Sequence, residues 1–202
     1  MEPGADDVTA RRRDVARAGH VGDTGLARSG LADEAPAVRA TALGALDRLG
    51  VLTDAELDDG LTDPDAGVRR RAVELSATRP GVEVRTLLDD PDPSVVEMCA
   101  WAAGERQEVA AVGRLAELTA ADGGHGDPLC REAAVAALGA IGDPAGLPAV
   151  LAALDDKPAI RRRAAVALAA FEGPEVEAAL QRCLEDRDWQ VRQVAEDLLA
   201  VD

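Results

Sequence analysis

The side chains able to do acid–base, nucleophilic or metal chemistry are sparsely placed in this chain. His20 and His125 are the two histidines, and Cys99, Cys130 and Cys183 the three cysteines, among 38 carboxylates. A metal or an acid–base pair needs its donors clustered, and neither histidine has a second one near it. His125, with Asp122 and Asp127 close by, is the one candidate ligand or base. The cysteines have no zinc-type spacing, and their odd number at apolar positions suits a reducing cytoplasm. No phosphate-cradling glycine loop, dinucleotide glycine pattern or Gly-x-Ser-x-Gly elbow occurs. The expectation is therefore a chain that is not an enzyme, with no catalytic residue, metal or cofactor.

Charge narrows the partners. The net charge is −16, with acid crowded into segments such as 54–65 and 89–92. Such a surface repels phosphate, which argues against nucleic acid and anionic membrane and leaves a basic protein surface as the natural target. Three arginine triplets, Arg11–Arg13, Arg69–Arg71 and Arg161–Arg163, could form basic spots, but they are separated and outweighed by acid. No stretch is long and apolar enough to span a bilayer, and no signal-peptide pattern opens the chain. The expected location is cytoplasmic.

The elements that must position these residues repeat. Anchors Ala10, Val38, Val68, Val95, Cys130, Ile160 and Val191 lie 28, 30, 27, 35, 30 and 31 residues apart. Five residues before an anchor stands Asp33, Asp63, Asp90, Asp155 or Asp186, with His125 in that place once. Asp65, Asp92, Asp127 and Asp188, three before, suit a helix N-cap; Pro36, Pro93, Pro128 and Pro158, two before, suit a first helical turn. One residue after the anchor come Arg39, Arg69, Arg131, Arg161 and Arg192, with Val96 as the exception. Small residues at plus four (Ala42, Ala72, Cys99, Ala134, Ala164, Ala195) and leucines at plus eight (Leu46, Leu138, Leu168, Leu199) complete one helix stripe. Between these helices, residues 24–31, 55–61, 82–88, 109–119, 147–154 and 176–184 read as shorter first helices. A period near 30 built of helix pairs is a solenoid, and one Phe, two Trp and no Tyr agree with stacked Ala, Leu and Val helices.

The pattern of Asp, then Val or Ile, Arg, Ala and a Leu-Gly-x-Ile-Gly tail resembles a HEAT repeat. It is clearest from Asp127 through Cys130, Arg131 and Ala134 to Leu138-Gly139-Ala140-Ile141-Gly142. The short period resembles the compact bacterial subgroup named after phycobilin lyases. The resemblance implies an all-α fold, a right-handed α-solenoid (α-α superhelix) of HEAT-like helical hairpins. Residues 1–6 would be loose, and 7–202 would form one array of an N-terminal half-repeat and about six helix pairs. It also implies that the Asp before and the Arg after each anchor form a ladder along the stack. HEAT-type deoxyhypusine hydroxylases hold two irons on His-Glu pairs; the aligned positions here are Val96-Glu97 and Arg131-Glu132, so the histidines are missing.

Solenoids work through surfaces. Positions plus two, three and six of the second helices should line the concave face, and the Val95 copy places Glu97, Met98 and Trp101 there, with Glu105 one turn on. Only this copy has a large aromatic residue at plus six. Trp is enriched at binding hot spots and Met adapts to irregular partners. Arg70, Arg71, Arg162 and Arg163 would flank the patch, and His125 sits in the glycine-rich loop at 121–127. Trp189 reads as a cap on the open end of the stack. The expected function is a non-catalytic protein-binding scaffold or adaptor. The alternative is an enzyme-associated HEAT protein, either a lyase- or chaperone-like helper for a prosthetic group or a repair-glycosylase-like protein.

Overall fold

A computed structural model describes residues 5–200, and every regular element among them is helical. Of the six N-terminal residues expected to be loose, 1–4 lie outside the described residues, and the first helix begins at Ala5. The chain divides into two compact units, one ending at Thr86 and the other beginning at Leu87.

The first unit holds α1 (Ala5–Val21), α2 (Thr24–Ser29), α3 (Pro36–Arg48), α4 (Asp54–Leu61) and α5 (Ala66–Ser76). Helices α1, α3 and α5 are the anchored second helices, and α3 packs between α1 and α5. The second unit holds α6 (Pro93–Glu105), α7 (Val112–Thr119), α8 (Pro128–Ile141), α9 (Leu147–Ala153), α10 (Pro158–Ala167), α11 (Pro174–Cys183) and α12 (Trp189–Leu199). Here α6, α8, α10 and α12 stack in order, while α7, α9 and α11 pair with the helices that follow them. Within each unit the fold is a solenoid of helical hairpins. Among the described residues no helix is long and apolar enough to cross a membrane.

Local sequence explains the helix starts. Asp65, Asp92, Asp127 and Asp188 each accept a backbone N–H of the first turn, which satisfies donors that no helical carbonyl reaches. Pro36, Pro93, Pro128 and Pro158 open their helices, where a missing N–H costs nothing. Thr53 and Glu56 close a reciprocal capping box on α4. The predicted stripe is the core: anchors from Val38 to Val191, the plus-four small residues, and Leu46, Leu138 and Leu168 are all buried.

The small residues permit close helix approach. A Cβ on Gly19 would lie 2.9 Å from Ala45, one on Gly104 3.1 Å from Ala137, and one on Gly139 2.7 Å from Ala167. Each is a plus-nine glycine meeting a plus-seven alanine of the next second helix, a contact that an added Cβ would crowd, most severely at Gly139.

One first helix departs from expectation. Residues 82–88 do not form an α-helix; Val82 and Val84 are buried in non-helical chain, followed by a 3-10 helix over Arg85–Asp89. Pro80-Gly81 precedes this stretch and three of its residues, Val82, Val84 and Thr86, are β-branched, a combination that disfavours helix nucleation. The division between the two units falls in the same segment.

Candidate functional site on helix α6

The ladder sets the baseline against which a site must stand out. Arg39 Nε and Nη2 each reach a different carboxylate oxygen of Asp63 at 2.8 Å, while Nη1 donates to the Asp33 carbonyl. Arg11 binds Asp33, Arg131 binds Asp156 and Arg161 binds Asp186 in the same two-pronged way. The hydrogen bonds from these guanidiniums hold the carboxyls of Asp33, Asp63, Asp156 and Asp186 below the usual carboxylate range, against the opposing effect of burial. The ladder also corrects one expectation: its acid in the Ile160 copy is Asp156, not Asp155. The turn there is one residue tighter, so Asp156 Oδ1 accepts from the adjacent Lys157 N–H, whereas Asp33, Asp63, Asp90 and Asp186 accept from the residue two ahead.

Between α6 and α8 this rung has neither of its usual residues. Val96 replaces the arginine, and His125 replaces the aspartate of the next copy. His125 Nδ1 accepts the Asp127 N–H at 3.1 Å, so its ring imitates the missing carboxylate in shaping the turn, and its carbonyl accepts from Arg131. Val96 is buried. The packing of Gly104 on Ala137 and the Cys130 Sγ bond to the Pro93 carbonyl at 3.2 Å join the two copies instead. Burial pushes the Cys130 thiol up to about 11, and it raises the Cys183 thiol as well, so both stay protonated at neutral pH.

The outer face of α6 carries the predicted patch. Asp92 fixes the helix start, its Oδ1 accepting from the Ser94 N–H at 2.9 Å and the Ser94 hydroxyl at 2.7 Å. Four-residue spacing then aligns Glu97, Trp101 and Glu105 on one exposed stripe, with Met98 half-buried beside it. Trp101 is 44 % exposed, and neither Glu97 nor Glu105 forms an ion pair among the described residues. The arrangement offers an indole face between two uncompensated carboxylates.

The other predicted residues lie in different settings. Arg162 binds Asp188 at 2.9 Å and Arg163 binds Glu132 at 3.3 Å, so both guanidiniums are already engaged by carboxylates. Arg70 and Arg71 are on α5, in the first unit; Arg71 pairs with Glu74 and lies over Gly44, and Arg70 is exposed. Trp189 is not buried as an end cap: it is 64 % exposed at the start of α12 and lines a cleft with Pro158 and Arg162. Among the described residues no three His, Cys, Asp or Glu side chains cluster as metal ligands would.

Sequence reading missed Gln107. Its φ is +50°, the left-handed region, directly after α6. Gly22, Gly50 and Gly142 hold the same plus-twelve position with φ of +85°, +69° and +67°. The plus-twelve column is mixed, with Pro80 and Glu172 in two other copies, so the alignment alone would not single out Gln107; its positive φ does.

Comparison with known proteins supports the repeat assignment. A family model described as HEAT repeats matches residues 122–200. No curated protein matches the chain in sequence. Among solved structures, the complex of CpcE and CpcF of phycocyanin lyase from Nostoc sp. aligns with a TM-score of 0.61 and 25% identity, covering 87% of this chain and 75% of that one. Human deoxyhypusine hydroxylase aligns at 0.50 with 23% identity, covering 97% and 80%. A designed armadillo repeat protein in complex with the peptide (KR)4 aligns at 0.53 with 16% identity, covering 98% and 94%. The Asp–Arg ladder, the anchored second helices and the matched C-terminal repeats agree with one another: residues 122–200 match HEAT repeats, and the same repeat pattern runs through the helices before them.

Proposed function

We propose that the chain is a non-catalytic scaffold that holds a lysine- or arginine-bearing segment of a partner protein against α6. A cationic group stacks on the Trp101 indole, and Glu97 and Glu105 accept its N–H bonds from one turn before and one turn after. The observation that carries this reading is the exposed indole between two unpaired carboxylates, in the copy that has lost its ladder arginine. Net charge of −16 would draw a basic segment in from a distance.

Titration with an alternating Lys-Arg octapeptide, read by Trp101 fluorescence in a Trp189→Phe background, tests it. Saturable binding that weakens steeply with added salt, and no response to an alternating Glu-Ser peptide, is the expected result. A flat Lys-Arg titration to millimolar peptide would refute it. A second reading, an accessory to a prosthetic-group lyase, draws on the 25% identity with the phycocyanin lyase complex. A chromophore co-purifying with the chain would favour that reading.

A further inference from the structure

The second tryptophan has the opposite electrostatic setting. Between α10 and α12 lies an open cleft of about 420 Å³, with Trp189 on one wall and Pro158 on the other. Three arginines line it, and they are not equivalent. Arg161 is consumed: Nε and Nη2 bind Asp186, and Nη1 binds the Asp156 carbonyl. Arg162 is pinned through one nitrogen. Its Nε binds Asp188 Oδ2 at 2.9 Å, and Asp188 is itself held by the Gln190 N–H on its other oxygen at 3.0 Å. Among the described residues both Nη groups of Arg162 therefore remain unused, on a guanidinium whose position is already set. Arg187 is exposed and forms no ion pair among the described residues. The cleft lining carries Arg161, Arg162 and Arg187 against one carboxylate, Asp188, so its wall is locally positive in a chain of strongly negative net charge, with Asp186 behind it paired to Arg161 and also feeling Arg187.

We propose that this cleft receives an acidic, apolar-flanked peptide segment of a partner protein. A carboxylate of the segment bonds the Arg162 Nη groups and Arg187, and the adjoining apolar side chain lies on the Trp189 indole beside Pro158. Preset guanidinium geometry favours the planar, two-oxygen carboxylate, and the indole supplies apolar area with little side-chain entropy to lose. The spare Nη groups of Arg162 and the Arg187 guanidinium can together hold one carboxylate, while the surrounding acid opposes a longer polyanion such as a nucleic acid. With α6 taking a basic segment, the same unit would join two partners of opposite charge. The two sites are separate, so one can fail while the other stands.

The test uses the full chain with Trp101→Phe, so that Trp189 is the sole indole reporter. An end-capped octapeptide alternating Glu and Leu is titrated, beside its Lys-Leu counterpart and an octathymidylate. Expected are a saturable fluorescence change with Glu-Leu alone and about tenfold weaker binding in Arg187→Glu. Should Arg187→Glu disturb folding by circular dichroism, Arg187→Gln must weaken binding in the same direction by fluorescence, and Trp189→Ala must do so by calorimetry. No saturable response to millimolar Glu-Leu peptide, equal affinity with these variants, or a stronger response to the oligonucleotide would overturn the proposal.

Discussion

Helices α6 and α10 occupy equivalent places in two repeats of one unit, yet their polar residues have different fates. On α10, Arg161, Arg162 and Arg163 are bound by Asp186, Asp188 and Glu132. Each is tied to a neighbouring repeat, so this part of the surface mainly holds the stack together, with the Nη groups of Arg162 left over for a partner. On α6, valine stands where the ladder arginine belongs, and Glu97 and Glu105 flank an exposed tryptophan without ion pairs among the described residues. In a repeat protein, a polar residue answered by the adjacent copy is structural. One left unanswered is available to a partner.

The largest effect should come from breaking a rung. Arg131 and Asp156 are 7% and 5% exposed, so Arg131→Ala leaves a buried carboxylate unpaired. A loss of about 3 kcal/mol in denaturant unfolding is expected. A loss below about 1 kcal/mol would mean that the ladder is no more than surface decoration.

The α6–α8 junction gives the converse test. Val96→Arg alone should cost about 2 kcal/mol, by burying a cation with no acid to meet it. Adding His125→Asp should restore much of that, with a coupling of about 1–3 kcal/mol in a double-mutant cycle. Additive effects would show that Val96 and His125 are unrelated departures instead of two halves of one lost rung.

Acid separates the regions further. Asp63, Asp156 and Asp186 have folded pKa values below their unfolded ones, so the unfolded chain takes up more protons as pH falls. Stability from the ladder is full above about pH 5 and declines below about pH 4. Helicity followed through an acid titration checks this, and Asp156→Asn should flatten the acid limb. Substitutions at the α6–α8 junction, which has no such carboxylate, should leave that limb in place.

The smallest effect concerns Gln107. Gln107→Gly should stabilise the chain by about 0.5–1 kcal/mol, because glycine adopts positive φ without a Cβ clash. The bond from Gln107 Nε2 to the Ala140 carbonyl, at 3.4 Å, is too long to offset much of that gain. Unchanged or reduced thermal stability would show that the side chain contributes more to the junction than its conformation costs.

Much of the fold was legible because the repeat states its rules several times over. Asp65, Asp92, Asp127 and Asp188 declare their caps, and the plus-four small residues declare the core. The register slip at Asp156 was not legible: choosing between adjacent aspartates depends on a turn shortened by one residue, and Asp155 and Asp156 are chemically identical. Residues 82–88 misled because their apolar pattern fits a helix, while Pro80-Gly81 and the β-branched residues oppose nucleation. For the candidate site, sequence placed Glu97, Trp101 and Glu105 on one face through helical spacing alone. It could not show that Arg162 and Arg163 are already engaged, since their partners Asp188 and Glu132 lie 26 and 31 residues away. Nor could it place Trp189, because end cap and cleft wall share one sequence position.

Trp101→Ala is the most direct test of α6 as the reading surface. Its affinity for the Lys-Arg octapeptide, measured by calorimetry, should be compared with its unfolding free energy. Affinity should fall by more than about 1 kcal/mol while stability falls by less, since the indole is almost half exposed. Unchanged affinity together with loss of cooperative unfolding would make Trp101 a packing residue and contradict the binding role of α6.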